Sequence, residues 1–120
     1  MEEKRIYEYM TTKKYKENEY LCWDFVRDVY KDLYNMDLPE YPVDELPVHF
    51  KHRMEANFEH KRIENGQTIE GDIIVFSLMA DQHAGVMIDS NYLIHLGKTN
   101  VRISRLSDLG KNYVIYRIIK

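Results

Sequence analysis

The C-terminal part of the chain is divided into short apolar segments whose connections leave no room for a helix. Each segment is rich in Ile, Val and Tyr and is bounded by Gly, Asn, Asp or Ser, which is the pattern of β-strands. The five predicted strands are Asp72–Ser77, His83–Ile88, Tyr92–Leu96, Asn100–Ser104 and Tyr113–Ile119. Because parallel neighbours need crossover connections of about a dozen residues or more, these connections predict an antiparallel sheet.

Helices are predicted ahead of this sheet. From Asn18 to Tyr34 the apolar residues recur at the i, i+3, i+4, i+7 spacing of a helix, with charged residues on the other side. A second, more exposed helix is predicted where Phe50, Met54 and Phe58 recur at every fourth residue, and Asn65-Gly66 would end it. This order indicates the α+β class, with N-terminal helices packed on a five-stranded, mainly antiparallel sheet in a single domain spanning residues 1–120.

Composition and charge exclude several classes of function. Hydrophobic residues make up 44% of the chain and charged residues 31%, which indicates a folded globular protein. The 17 basic and 20 acidic residues give a formal net charge of −3, so no basic face for nucleic acid is expected. No apolar run approaches the roughly 18 residues of a membrane span, and Met1–Arg5 leads into no apolar signal segment. We therefore expect no membrane association and a cytoplasmic location in the producing cell.

Cys22 is the one cysteine of the chain and lies near the start of the first predicted helix. Unpaired amides and the helix dipole favour negative charge there, which lowers a thiol pKa and suits a thiolate nucleophile. Cys22 also falls on the apolar stripe with Phe25, Val26 and Val29, and free cysteine is commonly buried. A packing role is therefore the alternative interpretation.

His83 and His95 lie on two strands joined by a short turn. An odd-length loop centred on Asp89 would place the two histidines directly opposite each other, whereas one centred on Ser90 would make them diagonal neighbours. In both cases the rings share a face of the sheet. An even-length loop would put them on opposite faces.

A cysteine nucleophile needs a base for the thiol proton and a second polar group that orients the base. Cys22, His83 and His95 can supply these roles. Two alternatives remain: the histidines are ordinary half-buried strand residues, or the three residues bind zinc with an open position. The other histidines, His49, His52 and His60, are expected to be solvated on the charged second helix.

Three segments in order resemble the NlpC-type cell-wall cysteine peptidases, a papain-like group. Tyr20–Tyr30, containing Cys-Trp and an apolar-apolar-Arg run, resembles the nucleophile helix, and with Leu38–Tyr41 it is similar to the branch encoded with bacteriophage tail proteins. Gly71–Phe76 resembles the Gly-Asp strand before the catalytic histidine. His83–Ile88 followed by Tyr92–His95 resembles the strands that carry the histidine and the third polar residue.

The resemblance implies a Cys-His-His triad in a papain-like fold. In it Cys22 is the nucleophile, His83 the general base and then acid, and His95 the residue that orients His83. The backbone amide of Cys22 would help to stabilise the oxyanion. Tyr15 and Trp23 are implied as substrate-binding residues, and no cofactor or metal is implied.

The resemblance also implies a substrate. The protein would hydrolyse an amide bond in peptidoglycan stem peptides, most typically the γ-D-glutamyl–diamino acid bond, within a phage or prophage tail and alongside other tail proteins. Leu21 and Asp24 depart from the family pattern around the cysteine. They motivate an alternative from another class, a catalytically inactive structural or wall-binding tail component. A different amidase or acyltransferase with the same dyad is also compatible with the sequence.

Overall fold

The computed structural model describes residues 1–40, 59–64, 66–78 and 81–119, without the side chains of Leu78 and Asp81. Two helices come first among these residues, α1 (Glu3–Thr12) and α2 (Cys22–Tyr34). The second predicted helix, around Phe50, Met54 and Phe58, lies outside the described residues. No helix within them is both long and apolar enough to cross a membrane.

A six-stranded sheet follows the helices. Its strands are β1 (His60–Ile63), β2 (Ile73–Leu78), β3 (Asp81–Met87), β4 (Tyr92–Leu96), β5 (Val101–Arg105) and β6 (Tyr113–Ile118). Their order is β1-β6-β2-β3-β4-β5, and every neighbouring pair is antiparallel. The predicted α+β class and antiparallel sheet are therefore confirmed, and the papain-like fold is compatible with them, but the prediction of five strands is wrong.

The extra strand, β1, was assigned to the end of the second helix by its sequence. Its residues do not alternate in burial, since Lys61 and Arg62 are both exposed, so no period of two marks it as a strand. Backbone pairing with β6 forms it instead, with His60 opposite Ile118 and Ile63 opposite Ile115. His60 consequently lies on a strand, where its ring meets the Tyr116 ring edge-on at 5.2 Å, and the expected solvated helical position is wrong.

Helix α1 was not predicted, because its apolar residues are few and spread among charges. Tyr9 explains why it forms. The side chain is buried, its ring meets Phe25 edge-on at 5.5 Å, and its hydroxyl donates to Asp32 of α2 over 2.9 Å. Tertiary contact with α2 therefore stabilises a segment whose own apolar pattern is weak.

The two faces of the sheet carry different groups. The helical face carries Ile73, Val75, Ala84, Val86 and Ile94, which form one buried cluster with residues of both helices. Phe25, Val26 and Val29 of α2 are fully buried in it, each contributing roughly 1.5–3 kcal/mol of burial free energy. The histidine face carries Ile74, Phe76, Met87, Leu93 and Ile115, together with His83 and His95, and packs against Leu106.

The Gly71-Asp72 turn fixes β2 against α2. Gly71 has φ +92°, and a Cβ on it would lie 2.3 Å from the Tyr34 hydroxyl, so only glycine fits. Its carbonyl accepts a hydrogen bond from the Tyr30 hydroxyl. Asp72 is buried and accepts two hydrogen bonds from Arg117, at 2.8 and 2.9 Å. The Gly-Asp motif therefore has a structural role here.

Candidate active site

Cys22 is the first residue of α2. The helix does not begin at Asn18, as predicted, because Asn18 has φ 63° in a tight turn closed by Lys16 and Tyr20. Leu21 is extended, and its backbone N–H donates to the Asp24 carboxylate over 2.8 Å. An acidic side chain in the first turn therefore caps the helix next to the cysteine.

The Cys22 thiol contacts the backbone of β3. The N–H groups of Ala84 and Trp23 hydrogen-bond the sulfur. The Ala84 N–H is available because the β3–β4 pairing ends at Gly85 opposite His95, one residue before Ala84 is reached. Ile88 donates its N–H to the Tyr92 carbonyl, and alternate residues of a strand direct their N–H groups to the same side, so Ala84 also faces the β4 side.

Burial raises the pKa of the Cys22 thiol to about 11. The charge of Asp24 acts in the same direction, whereas the Ala84 and Trp23 N–H groups lower the pKa. The predicted lowering of this pKa at a helix start is therefore wrong for this structure, because desolvation of the thiolate outweighs the stabilisation by nearby amides. At neutral pH the resting side chain is a thiol.

His83 immediately precedes Ala84, so the contact with the thiol places Cys22 one residue from His83 along β3. His83 is partly exposed and pairs with Phe76 across β2. The two rings stack with centroids 5.6 Å apart and an interplanar angle of 25°. Phe76 therefore restricts the orientation of the His83 ring.

His95 is the diagonal neighbour of His83 on the histidine face. Gly85 pairs with His95, which centres the loop on Ser90 and confirms the second of the two odd-length alternatives. Asp89 accepts the N–H groups of Asn91 and Tyr92, at 2.8 and 2.9 Å, and so opens the loop instead of lying at its centre.

The surroundings of His95 keep its ring neutral. The residue is 5% exposed, and its ring meets Phe76 edge-on at 5.3 Å. Its Nε2 lies 2.8 Å from the Ser104 hydroxyl. Burial lowers the pKa of His95 to about 4, and the neighbouring charges of His83 and Arg102 act in the same direction. The structure therefore joins the two histidines electrostatically, with Phe76 between them.

Trp23 and Tyr15 have different surroundings. The Trp23 side chain is 1% exposed, and its indole N–H donates to the Pro39 carbonyl over 2.7 Å. Trp23 therefore packs in the core and holds the segment after α2, so the substrate contact expected for it is replaced by a structural role. Tyr15 is partly exposed at the edge of the helical cluster, and a substrate contact for it stays a prediction.

Ser104 and Phe76 were missed by the sequence reasoning. The alternation of each strand places them on the same face as the histidines, but only once the strand registers are known. Glycine at position 85 was a usable signal. A Cβ there would lie 2.8 Å from the Ile94 carbonyl oxygen and 3.0 Å from the His95 Cβ, so the close approach of β4 requires glycine.

The zinc alternative gains no support from this geometry. Within residues 1–40 and the described parts of 59–119, no three His, Cys, Asp or Glu side chains are grouped so that they could hold a metal ion. Cys22, His83 and His95 thus do not form such a group. His49 and His52 lie outside the described residues.

Comparison with known proteins agrees with the arrangement of helix and strands. A search of curated proteins finds no match. A comparison with protein-family models matches residues 4–119 to the NlpC/P60 family. This match includes α1, α2, all six strands and the three candidate catalytic residues. Because the match covers almost all of its length, the chain belongs to the NlpC/P60 family.

Proposed function

We propose that the protein is a cysteine peptidase in which Cys22, His83 and His95 form the triad. Membership of the NlpC/P60 family suggests cell-wall peptidase activity, and members are generally cysteine peptidases. The observation that carries the assignment is the hydrogen bond between the Ala84 N–H and the Cys22 thiol, which holds the sulfur beside the strand position of His83. The electrostatic contact of His83 with His95 supplies the third member.

The chemistry follows from these positions. His83 accepts the thiol proton while the Cys22 sulfur attacks the carbonyl carbon of the scissile amide. The backbone N–H of Cys22, at the helix start, stabilises the oxyanion of the tetrahedral intermediate. His83 then protonates the leaving amine, which leaves a thioester. Water, deprotonated by His83, attacks the thioester and releases the carboxylic acid and the thiol.

The raised pKa of Cys22 determines how the first step proceeds. A thiol with a pKa of about 11 is almost wholly protonated at pH 7, so no preformed thiolate supplies the nucleophile. Proton transfer to His83 must therefore accompany the formation of the carbon–sulfur bond. Substitution of His83 is consequently expected to remove turnover, since no other group in the proposed triad can accept the proton.

The substrate that we propose is a peptidoglycan stem peptide, cleaved at the γ-D-glutamyl–diamino acid bond. Its support is the resemblance of the Cys22 helix and of the two histidine strands to NlpC-type enzymes. A place in a phage or prophage tail, among other tail proteins and assembled in the cytoplasm of the producing cell, is supported by the Cys22-Trp23 and Leu38–Tyr41 segments alone.

A catalytically inactive tail or wall-binding component is the second candidate. Two observations favour it: burial raises the pKa of the thiol, and the Asp24 carboxylate lies in the first turn beside Cys22. Both features work against a nucleophilic sulfur. This candidate predicts that the protein binds peptidoglycan and releases no fragments from it.

The test is digestion of purified peptidoglycan of several chemotypes, with released fragments identified by mass spectrometry. Fragments are expected from the wild type and from His60→Gln, which alters a histidine on the other face of the sheet, but not from Cys22→Ala or His83→Gln. The cleaved bond is read from the fragment masses. If folded wild-type protein releases nothing from any wall, the inactive candidate replaces the proposed function.

A further inference from the structure

Ser104 contacts the one nitrogen of the His95 ring whose partner the structure identifies. The Ser104 hydroxyl lies 2.8 Å from His95 Nε2. Ser104 is half-buried on β5, where Leu93 is its direct partner and Arg102 is the direct partner of His95. Ser104 and His95 are therefore diagonal neighbours on the histidine face, and the residue has no role in the triad as described so far.

A neutral imidazole carries one N–H donor and one acceptor nitrogen, so a contact at one nitrogen decides what the other can do. To take the thiol proton, His83 must direct an unprotonated nitrogen towards Cys22. Its other nitrogen then carries a hydrogen, which His95 must accept. Once His83 has become an imidazolium, both of its nitrogens are donors, and His95 must still accept.

His95 can accept only through an unprotonated nitrogen. Because Ser104 occupies Nε2, the nitrogen left for His83 is Nδ1. The ring hydrogen must then be on Nε2, with the Ser104 oxygen as its acceptor. The opposite tautomer would turn Nδ1–H towards His83 and reverse the proton positions that the reaction needs.

We propose that Ser104 is a positioning residue that holds the proton of neutral His95 on Nε2 and so keeps Nδ1 as the acceptor for His83. The inference deepens the proposed function and rests on it. The charged groups that act on His95 among the described residues are His83 from β3 and Arg102 from β5, and both disfavour a second proton on the ring. Phe76, from β2, contributes an uncharged ring edge.

The tautomer can be measured directly by long-range ¹H–¹⁵N NMR of ¹⁵N-labelled protein, with His95 signals assigned by their loss in His95→Gln. The wild type and Ser104→Thr, which keeps the hydroxyl, are expected to show a protonated Nε2 and an unprotonated Nδ1. Ser104→Ala is expected to show a mixture of tautomers. A protonated Nδ1 in the wild type, or an unchanged tautomer in Ser104→Ala, would overturn the proposal.

Kinetics supply the second readout. We expect kcat/KM on a stem peptide to fall about tenfold in Ser104→Ala, the effect of losing one hydrogen bond, and to recover in Ser104→Thr. Ser107→Ala, at an exposed serine of the next turn, is the matched control and should retain wild-type kinetics. Unchanged kcat/KM in Ser104→Ala contradicts the proposal. If the wild type cleaves nothing, the proposed function fails, while the NMR result still decides whether Ser104 fixes the tautomer.

Discussion

The carboxylate of Asp24 accepts the N–H of Leu21 and at the same time raises the pKa of Cys22, the residue between Leu21 and Trp23. One side chain thus stabilises the helix start and works against ionisation of the thiol. Asp24 departs from the pattern of NlpC-type enzymes, so its two effects can be separated by substitution.

Asp24→Asn is expected to lower the pKa of the Cys22 thiol, because the charge is removed while the amide oxygen can still accept the Leu21 N–H. The measurement is the rate of iodoacetamide alkylation against pH, whose midpoint should move below the wild-type value of about 11. Asp37→Asn, at an exposed carboxylate beyond α2, is the control. An unmoved midpoint in Asp24→Asn would show that this charge has no effect on the thiol.

Gly85→Ala is expected to displace β4 from β3 and to destabilise the protein by about 1–3 kcal/mol, as overpacking does. The added Cβ would lie 2.8 Å from the Ile94 carbonyl oxygen, a backbone atom that cannot move aside alone. Urea unfolding gives the free energy, and loss of peptidoglycan cleavage reports the displaced His95. Gly110→Ala has φ +71° and no atom within 4 Å, so it should cost only backbone strain and retain cleavage. Equal stability of Gly85→Ala and the wild type would contradict this packing argument.

The parts of this fold that the sequence predicts are those set by local periodicity. The apolar stripe of α2 and the alternation of β2 to β6 place each element within a few residues of its observed bounds. Helix α1 and strand β1 depend on tertiary partners, Phe25 and Asp32 for the helix and the backbone of β6 for the strand. Their own residues carry little periodic signal.

The candidate site was predictable to the same degree. The shared face of His83 and His95 follows from strand alternation, but the choice between two loop centres depends on Asp89, whose side chain opens the turn. The pKa of Cys22 could not be predicted, since it depends on how deeply packing against β3 buries the sulfur. Local features at a helix start indicate only the opposing, smaller effect.

Arg117→Ala is expected to destabilise the protein by about 3–5 kcal/mol, because it leaves the carboxylate of Asp72 buried without its partner. Asp72 is 1% exposed and accepts both of its bonds to Arg117 at 2.8–2.9 Å. The measurement is the free energy of unfolding in urea. The double variant Asp72→Asn with Arg117→Ala should recover part of the loss, since no buried charge remains. A loss below about 1 kcal/mol in Arg117→Ala, as expected for a surface ion pair, would contradict the assigned role.

His95 makes the stability of the protein depend on pH in the acidic range. Its pKa falls from 6.5 to about 4 on folding, so between these values the unfolded chain binds more protons and unfolding becomes easier as the pH is lowered. Full stability from this residue is therefore present above pH 6.5 and is lost as the pH falls towards 4. We expect His95→Asn to reduce the stability lost over this range by on the order of 2 kcal/mol relative to the wild type. Urea unfolding of both proteins at several pH values measures the two slopes, and equal slopes would show that His95 is not protonated differently in the folded and unfolded states.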